Sequence, residues 1–492
     1  MAERLLRQIE RLAAPVLLLL LTSFAQFHQL TRDLRFLPDE AFFMTFARGA
    51  AVNGDWLLPG ALDKPPLSIY VSALSMVAVG VGADEDAVLH LDPFLGEFAG
   101  RLPNAFLAIL LTALMMRLAG THCRSRWAAL LAGLLTATSP YLYTYGASAF
   151  TDMSLLFWAA TALSCAVSGR WTLAGAALAL AFWSKQQAAL FAPLIVMILL
   201  ARGGRPQDWL RLGLPPIILG AALLIWDSAR PQASIFLQAA VNNAPDTWLA
   251  EPSLWLERLA DWLGLGLWLL GPPLVTGLLL MGAAFVSASR TSLRTARNRA
   301  LMVERALLIY LIGFLGAHTV FQFNLYDRYL LLISPPLLLL VADQLARTPL
   351  SGARGNGLRL GLAALIAAGG LWSLNAGSSI GDDRGAYTGI DALAAHLNAK
   401  PVATVIYDPW LGWELGYYLG QWHDKRRVHY PTPAALVAGA LELDEIGDRY
   451  LVAPIDQPHD DWLAALRRAG FEVAVDYEQD RFIVYRLSPP QD

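Results

Sequence analysis

Charge is scarce in this chain. Only 16% of its 492 residues are Asp, Glu, Lys or Arg, against 56% hydrophobic, where soluble domains carry roughly a quarter charged residues. That excludes a wholly soluble protein and points to a membrane protein with some soluble mass attached. Lysine is rarer still, confined to Lys64, Lys185, Lys400 and Lys425, a usage in keeping with a GC-rich bacterial genome. The net charge of −3 leaves no basic face to neutralise phosphates, which excludes nucleic acid as a partner. Cysteine is limited to Cys123 and Cys165, and the second lies in an apolar run. Neither a disulfide nor a thiolate metal site is expected. An internal repeat, a low-complexity tract, a glycine-rich phosphate loop and a zinc-spaced cluster are also missing.

What the chain has in abundance is apolar runs, from 12–30 through 66–82, 127–146, 187–201, 263–286 and 329–346 to 358–376. The first, after a basic start, could be a cleaved signal peptide. Its apolar stretch of about 18 residues reads better as an uncleaved first span. Loop arginines then set the topology. If 66–82 does not cross, one side holds 18 arginines in its short loops, Arg290, Arg294 and Arg297 among them, and the other nine Lys or Arg. If it crosses, the bias reverses. The expectation is therefore an α-helical membrane protein of about 11 spans, with the N-terminus cytoplasmic and a first outer loop at about 31–100. "PPLSIYVSALSMVAVGVG" is then a juxtamembrane helix on the outer side.

From about residue 382 the chain turns polar and alternates short strands ("VATVIY", "RYLVAP", "FEVAVDY", "RFIVYRL") with helical stretches. This predicts two parts: a transmembrane domain at 1–380 and a small extracytoplasmic α/β domain at 381–492.

With that topology several charged groups gather at one face. Asp39, Glu40, Asp55, Asp63 and Lys64 sit in the first outer loop, and Arg101 caps a span. Asp152 lies where two spans meet, Lys185 in a tight turn, and Arg328 opens "NLYDRYLLLISPP". Ionisable groups at span ends cost free energy and mark function; acids beside bases suggest a general base next to an anion-binding set. The bland readings are a solvated turn at Asp39-Glu40, a snorkelling Lys64, an interfacial Arg101 and an N-capping Asp152. His122 and His318 read as ordinary polar residues. Most tryptophans read as interfacial belt, although Trp56, Trp255 and Trp262 could stack on a sugar.

"PDEAFFMTFARGAAVNGDWLLPGALDKPPL" resembles the first outer loop of GT-C glycosyltransferases, in the protein O-mannosyltransferase and aminoarabinose-transferase (ArnT-like) group. "RLPNAFLAILLTALMMRLAG", "TSPYLYTYGASAFTDMSLLFW", "FWSKQQAALFAPL" and "RYLLLISPP" follow in order, so the resemblance covers about residues 15–345. It implies a GT-C fold and sugar transfer from a polyprenyl-phosphate donor to a glycan, lipid or protein acceptor, at the outer face of a bacterial inner membrane. It implies Asp39 as catalytic base, Glu40 as the orienting acid and Asp152 as an acid facing them. Lys64, Arg101, Lys185 and Arg328 would hold the lipid phosphate, with Asp55, Trp56, Asp63 and Tyr329 lining the substrate. The motifs establish no cofactor, though Asp39, Glu40 and Asp152 could bind a divalent metal through oxygen. Asp63 stands where relatives often carry Glu, and "SKQQ" replaces the more usual Lys-Gly, which weakens Lys185. The competing readings are a transporter or flippase of a polyprenyl-linked lipid, and a non-catalytic membrane scaffold.

Overall fold

The computed structural model describes residues 2–245, 247–288, 299–347, 352–376, 379–443 and 449–490. Arg290, Arg294 and Arg297 of the arginine count lie outside the described residues. The chain forms two compact units. The first comprises Met1–Thr31, Leu57–Val71 and Arg101–Asp382; the second comprises Arg32–Trp56, Ser72–Gly100 and Asp383–Asp492.

The first unit is helical. Among the described residues six helices are long and apolar enough to cross a membrane: Leu12–Leu30, Pro93–Cys123, Pro206–Ser228, Leu301–Val320, Asp327–Ala346 and Gly352–Ala376. The helix Leu67–Val79 has 13 residues, about 20 Å at 1.5 Å per residue, against roughly 30 Å of hydrocarbon.

Several runs that read as single spans are interrupted, and proline is the cause each time. The 127–146 run breaks between Arg126–Ala137 and Pro140–Gly146. The 263–286 run breaks between Trp255–Gly266 and Pro273–Ala288, at Gly271-Pro272-Pro273. The 187–201 and 329–346 runs open as 3-10 helices, Gln186–Phe191 and Asp327–Ile333, before becoming α-helical. Pro193, Pro335 and Pro336 head those α-helices. They have no N–H to return to the carbonyl four residues back, so the preceding turn winds tighter.

Small residues let the helices approach closely. A Cβ at Gly175, in Trp171–Ser184, would lie 2.1 Å from the Leu212 carbonyl oxygen of Pro206–Ser228. Trp183 Nε1 donates to Leu219 O of the same neighbour at 2.9 Å.

The second unit holds a five-stranded sheet. Its order is Arg426–Val428, Val405–Tyr407, Arg449–Pro454, Phe482–Ser488, Glu472–Gln479; the first three strands are parallel and the last two pairings antiparallel. Leu451, Ala453, Ile483 and Tyr485 pack with Leu463, Leu466 and Phe471 to form its core. The four strands read from the sequence are present. The strand Arg426–Val428 and the helix Ile390–Asn398 join them.

Candidate active site

The first unit contains a cavity of about 300 Å³. Its lining mixes polar side chains, Lys64, Asp152, Gln186, Gln187, Arg328 and Tyr329, with apolar ones, among them Leu155, Leu190, Phe314, Phe323 and Leu332. Asp152 opens the helix Asp152–Val167 and Lys185 ends the helix Trp171–Ser184. The helical hairpin thus brings together two residues that are 33 apart in sequence. Lys185 Nζ donates to Asp152 Oδ1 at 2.6 Å, and it stands 5.4 Å from the Tyr329 ring centroid, within cation–π reach. Lys185 itself is not among the lining side chains; its charge is spent on Asp152.

Lys64 Nζ contacts Asp63 Oδ2 at 2.7 Å, and Gln186 Nε2 donates to the Asp63 carbonyl at 2.6 Å. The Arg328 guanidinium lies over the Phe150 and Tyr326 rings, 4.9 and 4.8 Å from their centroids. The neighbouring Asp327 is anchored by the Tyr145 hydroxyl and by Gly381 N–H at 2.7 Å.

Three readings are corrected. Asp39 and Glu40 are not in a loop turn. They belong to the helix Pro38–Arg48, with Pro38 in its first turn. Glu40 is wholly buried; its Oε2 accepts the Leu37 N–H at 3.1 Å and lies 3.7 Å from Arg384 Nη1. Arg101 is not at a helix start but well inside Pro93–Cys123, and buried. Trp262 cannot offer a face to a sugar, being wholly buried with its indole N–H on the His318 carbonyl at 3.0 Å. His318 lines the cavity, which leaves its reading as an ordinary polar residue standing. Its Nδ1 sits 2.9 Å from Phe314 O and its ring stacks on Phe314 at 4.0 Å.

Of the predicted residues, Lys64, Asp152, Arg328 and Tyr329 line the cavity, and Asp63 and Lys185 touch lining residues. Asp39, Glu40, Asp55 and Trp56 belong to the second unit. There Asp55 accepts from Asn53 Nδ2 at 3.3 Å, just after Gly54 in the left-handed region, and Trp56 is exposed. Among the described residues no group of three or more His, Cys, Asp or Glu could hold a metal ion.

Sequence reasoning missed the neutral amides. Gln186 and Gln187 line the cavity, and the buried Gln187 Oε1 has no hydrogen-bond partner among the described residues. Asn104 donates to the carbonyls of Ser148 and Phe150, both at 2.7 Å, fixing the turn that leads into Asp152. Its place in "RLPN" was the available signal.

This architecture is that of the GT-C membrane glycosyltransferases. ArnT from Cupriavidus metallidurans in the apo state matches with a TM-score of 0.62 at 17% identity, over 96% of this chain and 97% of that one. The same protein bound to undecaprenyl phosphate gives 0.63 at 16%, over 96% and 98%. The Archaeoglobus fulgidus oligosaccharyltransferase in the apo form gives 0.57 at 13%, over 99% and 76%. In sequence, the dolichyl-phosphate-mannose-protein mannosyltransferase family matches residues 63–228, the stretch that holds Lys64, Asp152 and Lys185. The undecaprenyl phosphate-alpha-4-amino-4-deoxy-L-arabinose arabinosyl transferase 2 of Proteus mirabilis (strain HI4320) is 27% identical over 200 residues, 37% of this chain. The match spans 34% of that relative's length. The chain thus shares the GT-C fold with these structures, and part of its sequence is similar to ArnT and to the O-mannosyltransferases.

Proposed function

We propose that the chain is an integral-membrane glycosyltransferase that moves a sugar from a polyprenyl-phosphate carrier to an acceptor hydroxyl or phosphate. The reading places the reaction at the outer face of a bacterial inner membrane, with the N-terminus cytoplasmic and residues 381–492 outside. The observation that carries it is the mixed lining of the cavity, which holds Lys64 and Arg328 together with leucines and phenylalanines. A lipid phosphate needs the cations, and its hydrocarbon chain needs the apolar surface.

In a single inverting displacement the acceptor oxygen bonds to the anomeric carbon as the bond from that carbon to the phosphate oxygen breaks. Asp39 takes the acceptor proton, an assignment that rests on its place in the "PDEAFF" motif. The leaving phosphate gains charge, and Lys64 and Arg328 are suited to stabilise it. Lys185 holds Asp152 fixed at the cavity wall.

The test is release of polyprenyl phosphate from a polyprenyl-phosphate sugar by the purified chain. Asp39→Asn should fold and release none. Undiminished turnover in that variant would remove Asp39 from the chemistry.

A further inference from the structure

The segment Leu57–Lys64 brings Lys64 to the cavity, and an arginine that does not line the cavity holds that segment in place. Arg230 follows the helix Pro206–Ser228, and its side chain is fully buried. Its guanidinium donates to four main-chain carbonyls. Nε reaches Leu57 O at 3.3 Å, Nη2 reaches Leu58 O at 3.0 Å and Gly60 O at 2.8 Å, and Nη1 reaches Ala233 O at 3.3 Å. Asp227 stands 3.6 Å from Nη1. It is itself held by the Ile235 N–H at 2.9 Å and the Ser234 hydroxyl at 2.5 Å.

The turn so held is an unfavourable one. Leu58 is wholly buried with φ 49, a left-handed conformation that a leucine keeps only where its surroundings impose it. At the far end Gln186 grips the Asp63 carbonyl at 2.6 Å, and only Ala61 and Leu62 separate the two grips. Lys64 is the next residue.

We infer that Arg230 is a positioning residue for Lys64: its fork of hydrogen bonds fixes the strained Leu57–Gly60 turn and thereby sets where the lysine meets the lipid phosphate. The inference rests on the phosphate-binding role proposed for Lys64. It also ties that role to the long apolar helix that Arg230 follows.

A double-mutant cycle tests it, with equilibrium binding of undecaprenyl phosphate to the purified full chain as readout. Arg230→Lys keeps the charge but loses the fork that reaches several carbonyls at once. It should weaken binding about tenfold where Lys64 is present, and by less than about twofold in the Lys64→Ala background. Leu58→Gly, which leaves Arg230 in place and frees the turn, should give a smaller loss with the same dependence on Lys64. It decides the matter if Arg230→Lys does not fold. Equal losses in both backgrounds would reduce Arg230 to general packing and overturn the inference, as would wild-type binding in both variants. Lys64→Ala alone reports on the underlying reading: unchanged binding there defeats the phosphate role, and the inference with it.

Discussion

Lys185 and Asp152 form a 2.6 Å ion pair in which the two side chains are only 4% and 3% exposed. Breaking such a pair leaves one charge buried without its partner, which costs about 3–5 kcal/mol. Lys185→Met and Asp152→Leu should each lower thermal stability by that order. The double variant should be more stable than either single one, because no lone charge remains. Thermal unfolding of the three purified proteins checks this, and a double variant less stable than both would contradict it.

Lys64→Ala should raise the KM for a polyprenyl-phosphate sugar about tenfold to a hundredfold, the range for losing a hydrogen bond to a charged group. Arg328→Ala should act in the same direction. Steady-state kinetics with varied donor measures both. An unchanged donor KM in the two variants would detach the cavity from the lipid phosphate.

The parts of the chain legible in the sequence are those with a periodic or punctuated signal. Glu472–Gln479 and Phe482–Ser488 are long enough to show themselves, whereas the three-residue hairpin strands Val81–Ala83 and Leu89–Leu91 are too short for any alternation to show. Lys64 and Arg328 stand out in the sequence because charge in an apolar chain is conspicuous. Arg230 is, in the sequence, only one of the nine basic residues of the outer loops. Its partners are main-chain carbonyls, and carbonyls leave no trace in residue identity. Gln186, Gln187 and Asn104 escaped for a related reason: a neutral amide carries no charge to notice. The interrupted runs were hidden because hydropathy does not register a proline that retains its apolar character.

Gly175→Val should destabilise the protein by about 1–3 kcal/mol, the usual cost of overpacking, because the first added carbon would meet the Leu212 carbonyl at 2.1 Å. Gly213, which has open space around its would-be Cβ, should accept alanine without loss. Thermal unfolding of the two variants side by side separates steric crowding from a general intolerance of glycine replacement.

Glu414 predicts a pH dependence in the second unit. Burial lifts its carboxyl from an ordinary 4.5 to about 7. The folded protein therefore binds this proton more tightly than the unfolded chain, and stability from this group falls as pH rises from 4.5 to about 7. The full effect is on the order of 3 kcal/mol. Glu414→Gln, which cannot ionise, should flatten that slope. Melting scans across this window, with and without the substitution, decide it.

Two stretches that line the cavity are wound as 3-10 helix, Gln186–Phe191 carrying the glutamines and Asp327–Ile333 carrying Arg328 and Tyr329. Successive side chains there are spaced by about 120° of rotation rather than the 100° of an α-helix. Relaxing either stretch into the α-helix that follows it would swing its polar side chains by about 20° for every residue converted.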